Sequence, residues 1–173
     1  MFSYACPACN AFNPIAHKLI ASLPPNAVFS YVHASFNPGE DWPMFQRAFC
    51  TAEALGIAAR THDAMFDAVW KSNELAVMNS SGQIVSKLPT IEDAARWYAK
   101  HAGVKAEDFL AASKSFDVDR RVRQANQYIK DFQVTGTPTI VVNMKYRTTA
   151  QLAGGYGQLV DLVDYLVAKE SKK

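Results

Sequence analysis

Apolar positions change their spacing several times along this chain, and each change marks an element. Phe2-Ser3-Tyr4-Ala5 is a short aromatic run suited to the end of a buried strand that feeds a helix. From Pro7 to about Ser22 the positions Phe12, Ile15, Ala16, Leu19, Ile20 and Leu23 follow helical spacing. Pro14 falls inside that helix and should kink it, because it removes one backbone bond and crowds the preceding turn. Pro24-Pro25-Asn26 ends it, and residues 27–34, with Val28, Phe29, Tyr31 and Val32, read as a second, largely buried strand.

From Asn37 the pattern turns to helices separated by polar caps and short turns. Asp41 can cap a helix over 43–55 that Gly56 closes, and Thr61 can cap one over 62–72 with Met65, Phe66, Val69 and Trp70 on one face. Thr90 with Asp93 resembles a capping box for a helix that reaches His101 before Gly103. A short helix near 106–114 follows, and then Asp117 can cap a long one in which Val118, Val122, Ala125, Ile129 and Phe132 recur every three or four residues. After Val134 strand character returns. Thr139-Ile140-Val141-Val142 is β-branched and apolar, Asn143-Met144-Lys145 makes a turn, and residues 146–148 pair back. Gly154, Gly155 and Gly157 then lead into a last amphipathic helix carrying Leu159, Leu162, Val163, Leu166 and Val167. The order is β-α-β, a block of five helices, then β-β-α, which is an α/β organisation with a helical insertion.

Composition adds limits. A chain of 173 residues, 49% hydrophobic and 20% charged, is long enough for one good core or one domain with an insertion. A net charge of +2 is too small to argue for nucleic acid or an anionic membrane surface, and Arg120-Arg121-Val122-Arg123 reads as a solvated helix face. No apolar run is long enough for a membrane span. Met1 leads straight into the first strand with no basic n-region or apolar h-region ahead of it. Either an export signal and some mature residues lie upstream, or the protein stays in the cytosol.

Cys6-Pro7-Ala8-Cys9 sits at the start of the first helix, and this placement gives it chemistry. The first N–H groups of a helix have no intrahelical acceptors and carry the positive end of the macrodipole, so a thiolate there is stabilised. Pro7 costs nothing in the first turn. Cys6 is then the accessible, nucleophilic thiol, and Cys9, one turn in, is the partly covered resolving thiol. A zinc site would need two further ligands, and only Cys50 and the scattered His17, His33, His62 and His101 remain. Cys50, with no charged residue immediately flanking it, reads as a small core thiol, as Trp42, Trp70, Trp97 and His33 read as core side chains.

A C-x-x-C pair beside a β-α-β pattern is a thioredoxin-like signature, and Thr135-Gly136-Thr137-Pro138 stands directly before the later strand, where such a sheet places its cis-proline. With the inserted helices and the run Val141-Val142-Asn143-Met144-Lys145-Tyr146, the chain resembles the DsbA branch of thioredoxin-like thiol:disulfide oxidoreductases over nearly its whole length. That resemblance implies a thioredoxin-like fold with an inserted helical subdomain, the first domain formed by 1–38 and 125–173 and the insertion by 39–124. It implies catalytic roles for Cys6 and Cys9 and substrate contacts from Pro7, Ala8, Thr137 and Pro138. It implies no cofactor beyond the redox-active disulfide, and no metal, nucleotide or flavin. The substrates would be unfolded or flexible cysteine-bearing proteins, the compartment the periplasm, and the reoxidant a quinone-linked membrane partner; a monomer is expected. The alternatives are a reductase or isomerase of the same fold, or a metal-binding module.

Three positions depart from the branch. Ala8 stands where its well-known oxidants have histidine, so the Cys6 thiolate should be less favoured and the protein a milder oxidant; one pKa unit corresponds to about 1.4 kcal/mol, or roughly 30 mV. The branch also begins with a further strand and a buried acidic residue upstream of the dithiol. Unless these are supplied from outside the given sequence, an exposed sheet edge is expected. Met144 replaces the usual glycine of the hairpin, so the turn is expected to change to avoid positive φ.

Overall fold

The computed structural model describes residues 1–171. Its first helix, α1 (Pro7–Ser22), begins and ends where the apolar spacing places it and runs on through Pro14. Ahead of α1, Met1 and Phe2 lie between two other extended segments. Phe2 N–H donates to Val32 O at 2.9 Å and Phe2 O accepts from Ala34 N–H at 2.7 Å, a parallel bridge to His33. On the other side Met1 and Thr139 exchange both backbone bonds, at 2.6 and 3.1 Å.

The expected strand over 27–34 reduces to that one bridge. The parallel register explains both ends: with Phe2 beside His33 no described residue stands opposite 27–31, and past Ala34 side chains occupy the next backbone groups, with Tyr4 N–H donating to His33 Nε2 at 3.1 Å, Tyr4 O accepting from Trp70 Nε1 at 2.8 Å and Ala5 N–H donating to Ser3 Oγ at 3.2 Å. Side chains thus take the bonds that would extend a ladder. Residues 27–31 gain no strand partner among the described residues, and Val28 is 90% exposed.

Five helices follow: α2 (Trp42–Ala54), α3 (Ala58–Trp70), α4 (Ile91–Ala102), α5 (Ala106–Ser113) and α6 (Phe116–Asp131). The Thr90–Asp93 capping box before α4 forms as read, and Gly103 closes that helix at φ 68°. Three other caps differ. Asp41 occupies the N-cap of α2 in a left-handed conformation, φ 61°, without a side-chain capping bond. Thr61 is inside α3, its hydroxyl bonded back to Ile57 O at 2.8 Å, because α3 starts directly after the Gly56 turn. Ser115 caps α6, and Asp117 in the first turn pairs with Arg120 and Arg121 at 2.6 and 2.8 Å. The arginine run is therefore partly paired within its own helix, and Arg123 lies over the Phe116 ring.

The hairpin β1 (Ile140–Val142) and β2 (Tyr146–Thr148) pairs antiparallel, Val142 opposite Tyr146. Its turn keeps the left-handed geometry, with φ 48° at Asn143 and 58° at Met144, so the expected change of turn does not occur. Register wins: Ile140, Val142 and Tyr146 pack on the second core, and a different turn would flip or slide those contacts. Met144 is 63% exposed and has little packing to lose. Met144→Gly is expected to raise the unfolding free energy by up to about 1 kcal/mol, read as a shift in urea midpoint at constant m-value. A short α7 (Ala150–Ala153), capped by Thr149, precedes α8 (Tyr156–Ser171) and was not signalled by the apolar spacing.

Two apolar clusters hold α1, one at its start and the other further along it. One joins Phe2, Tyr4, Ala5, Cys6 and Cys9 to the buried residues of α2–α5, among them Phe45, Phe49, Phe66 and Tyr98. The other packs Phe12, Ala16 and Leu19 against Val142 and Leu159, Val163 and Leu166 of α8. Tyr4 is fully buried, with its ring edge-on to Phe66 at 5.1 Å. Held this way, the start of α1 has little freedom to move.

Candidate active site

The N-terminus of α1 brings the two thiols together through its own capping geometry. Cys6 is the N-cap, with extended backbone at φ −91° and ψ 116°, and Pro7 occupies the first turn. Cys6 O accepts from Cys9 and Asn10 N–H at 3.1 and 3.0 Å, while Cys6 Sγ accepts from Cys9 N–H at 3.3 Å. Sulfur thus plays the part that a serine or aspartate oxygen plays at an ordinary helix start. Both cysteines are free thiols and both are buried; Pro7 and Ala8 between them are exposed.

Thr137 and Pro138, 131 residues away, close the site from the loop before β1. The Thr137-Pro138 peptide bond is cis, and the Cys6 thiol donates to Thr137 O at 3.5 Å. Thr139 Oγ1 donates to Gly136 O at 2.7 Å and pins that loop. All six residues singled out from the sequence, Cys6, Pro7, Ala8, Cys9, Thr137 and Pro138, therefore converge on one place.

The two sulfurs are electrostatically unequal. Cys6 is lowered to about 6, first by the hydrogen bond that the Cys9 thiol gives it, then by Thr137 and the backbone N–H groups of Cys9 and Ala8, against the opposing effect of burial. Cys9 is pushed far up, chiefly by burial, then by that same hydrogen bond and the neighbouring negative charge. One thiol ionises near neutrality, and the other keeps its proton and uses it to hold the first.

Several supporting residues carry no local signal in the sequence. His33, read as a core side chain, is one with every ring nitrogen engaged: Nδ1–H donates to Ala34 O at 2.7 Å and Nε2 accepts from Tyr4 N–H. Burial lowers it to about 3, so it stays neutral. Gln46 Nε2 donates to His33 O at 2.7 Å and fixes that segment in turn. Trp70 is more than core, since its indole N–H holds Tyr4 O two residues before the N-cap. The pairings span 29 and 66 residues, beyond what spacing reveals.

Cys50 lies on α2, buried and pushed up to about 12 by burial and by Glu53. Arg47 and Arg121 pull it the other way, so the thiol that looked free of charged neighbours has three of them.

The profile of the DSBA-like thioredoxin domain matches residues 1–159. A protein of Azotobacter vinelandii named thiol:disulfide interchange protein DsbA is 34% identical over 170 residues, covering 98% of this chain and 72% of that protein. The protein of the same name from Pseudomonas aeruginosa is 35% identical, covering 98% and 74%. Among solved structures, the oxidoreductase DsbA from Xylella fastidiosa superposes with a TM-score of 0.85 at 31% identity, over 100% of this chain and 84% of that one. The thioredoxin-like fold with its helical insertion accords with these matches.

Proposed function

The chain belongs to the DsbA-like thioredoxin-domain family and is a thiol:disulfide oxidoreductase, and we propose that it donates a disulfide held between Cys6 and Cys9 to cysteine-bearing proteins. The observation that supports this most is the unequal pair of thiols at one helix start, a Cys6 at about 6 beside a Cys9 that retains its proton.

In the oxidised protein, a substrate thiolate attacks Cys6 Sγ. The Cys6–Cys9 bond breaks, its electron pair leaves on Cys9, and a mixed disulfide joins Cys6 to the substrate. A second substrate thiolate then attacks the substrate sulfur of that bond, and Cys6 departs as a thiolate held by the Cys9 thiol and the backbone N–H groups. Two electrons pass from substrate to protein. A leaving thiolate stabilised in this way leaves faster and also makes the reduced protein the favoured product. Thr137 O, already turned to Cys6 Sγ, is the backbone group we assign to pairing with the substrate chain, with Pro138, Pro7 and Ala8 bordering it. Pro7 and Ala8, exposed beside the buried dithiol, offer a surface across which an unfolded or flexible chain can lie.

The same reading places the protein in the periplasm, acting as a monomer on exported proteins, with its own disulfide as the redox centre and a quinone-linked membrane partner as reoxidant. Residues 1–38 and 125–173 would form the catalytic domain and 39–124 the insertion that walls it.

Oxidised protein mixed with a reduced, unstructured peptide bearing two cysteines is expected to yield peptide disulfide and reduced protein in equal amounts. No transfer would sink the reading. Iodoacetamide trapping of the reduced protein adds a pH test. Cys6 falls from its ordinary 9.0 to about 6, so the thiolate's contribution to the reduced fold is complete above pH 9 and lost as pH falls through 6. Alkylation should accordingly rise tenfold per unit below pH 6 and level off by about pH 7, all of it on Cys6. A midpoint above 8, or label on Cys9, would contradict the assignment of the two thiols.

A further inference from the structure

The exchange just described requires the buried Cys9 thiol to lose its proton when it attacks and regain it when it leaves, yet Cys9 is only 2% exposed. Beneath it lies a cavity of about 30 Å3, walled by Cys9, Asn13, Tyr31, His62, Pro138 and Thr139 together with apolar side chains. That volume admits one or two waters. Most of its polar walls are already committed: Asn13 donates to Asp63 at 2.8 Å, and Thr139 donates to Gly136 O. His62 differs. Its residue is 4% exposed, Nδ1 meets the Tyr4 hydroxyl at 3.1 Å, and Nε2 is buried with no hydrogen-bond partner.

We propose that His62 exchanges the Cys9 proton, through water in this cavity, during the dithiol–disulfide step. When Cys9 attacks a mixed disulfide at Cys6, the Cys9–Cys6 bond forms, and the bond from Cys6 to the substrate sulfur breaks with its electron pair leaving on that sulfur. The proton from Cys9 passes by way of the cavity to His62 Nε2 and then to bulk solvent. The reverse step returns a proton by the same route. With Nδ1–H donated to the Tyr4 oxygen, Nε2 offers its lone pair to the cavity.

The surroundings suit a ring that is neutral at rest and cationic in passing. Burial holds His62 at about 4, so it is unprotonated near neutral pH and free to accept. Charge building on Cys9 then favours the imidazolium. The ring lies 4.0 Å from that of Tyr31 and is bordered by Phe2 and Phe66, an aromatic surround that tolerates a passing cation. From α3 Asp63 favours the charge, and from α1 His17 opposes it. Tyr4 and His33, from the first segment and its neighbour, are both held neutral by burial. Glu53 of α2 and Arg121 of α6 share a second cleft with His62. Tyr31, raised to about 12, is a far weaker acid. The Met1 ammonium, lowered to about 6, also borders the cavity and is the rival acceptor.

This rests on the dithiol reading above, and the experiment separates the two. Reduced protein is mixed with excess oxidised glutathione and quenched in acid, and mass spectrometry resolves the Cys6–glutathione adduct from the closed disulfide. Failure to form the adduct overturns the dithiol reading itself. If Cys9 had to ionise into bulk solvent first, closure would climb tenfold per pH unit throughout pH 5–8, and that slope in the wild-type protein would overturn the proposal. With His62 as acceptor, wild-type closure is level over this range, above the pH at which an NMR titration shows the ring losing its proton. In His62→Gln and His62→Phe, adduct formation should stay within about twofold while closure at pH 7 falls at least about tenfold and regains the unit slope. A level profile that survives His62→Gln assigns the proton to Met1 or to water alone and overturns the proposal. So does a parallel loss of both steps, which marks a purely structural residue. Should neither variant fold, the wild-type profile carried below pH 5 decides: closure that falls off at the pH where the ring titrates supports the proposal, and closure that stays level through it overturns it.

Discussion

Cys6→Ser is expected to abolish disulfide transfer, whereas Cys9→Ser is expected to give a protein that captures its substrates and holds them. The asymmetry comes from the cap of α1. Cys6 Sγ faces Thr137 O and accepts the Cys9 N–H, so it is the sulfur on which a substrate bond can form beside an available backbone acceptor. Serine at that position has no thiolate and no means to form the mixed disulfide. Transfer should drop to background, a loss of about 10³-fold or more, as for removal of a covalent nucleophile. With Cys9→Ser the reduced protein still ionises Cys6, because a serine hydroxyl and the same backbone N–H groups can hold the thiolate, but nothing remains to displace the substrate from within. Mixed with an oxidised cysteine-bearing peptide, this variant should accumulate a one-to-one adduct visible by mass spectrometry and cleared by dithiothreitol. Since the hydrogen bond from the Cys9 thiol is the largest cause of the low Cys6 value, Cys6 alkylation should need a higher pH in Cys9→Ala, which keeps no donor at that position. A Cys6→Ser protein that still transfers disulfides, or a Cys9→Ser protein that turns over like the wild type, would reverse or dissolve these roles.

The parts of this molecule legible in the sequence are those whose cause is local. α1 was readable because its apolar face and Pro7 lie within one continuous stretch, and α4 because Thr90, Asp93 and Gly103 state its start and stop in adjacent turns. The cap of α6 lies two residues before the expected Asp117, because the Ser115 hydroxyl accepts from Val118 N–H at 3.3 Å. Residues 27–34 misled for a different reason. β-branched and aromatic residues raise strand propensity, but a strand also needs a partner's backbone, and with Phe2 paired to His33 no described residue stands opposite 27–31. At the site, Cys6 and Cys9 were readable from their spacing at a helix start, and Thr137-Pro138 from the family resemblance. His33, Gln46, Trp70 and His62 were not, because each acts through one atom aimed at a residue far away in sequence. Met144 shows the opposite limit: its residue type argued against a left-handed turn, and the register of two strands overrode it.

Ala8→His should make the protein a stronger oxidant, and the size of the change should depend on pH. Ala8 is exposed in the first turn of α1, and its N–H is one of the groups lowering Cys6. An imidazolium at this position would add a positive charge beside the Cys6 thiolate while leaving the buried contacts of Cys9 intact. The sign follows from linkage: a lower Cys6 pKa stabilises the reduced form, so the reduction potential moves to a less negative value. Strong oxidants of this family hold the corresponding thiolate near about 3.5 and thioredoxin near about 7. Cys6, at about 6, lies nearer the milder end. Each further unit lost corresponds to roughly 30 mV, a tenfold change in the equilibrium with a two-electron partner. Equilibration with glutathione redox buffers, read by tryptophan fluorescence or by alkylation and mass spectrometry, would measure it. Because the added charge exists only while the imidazole is protonated, the shift should be largest near pH 6 and shrink towards pH 8. A shift of equal size at both pH values would assign the effect to packing or backbone geometry. An unchanged or more negative potential would remove Ala8 as the residue that sets how strongly this pair oxidises.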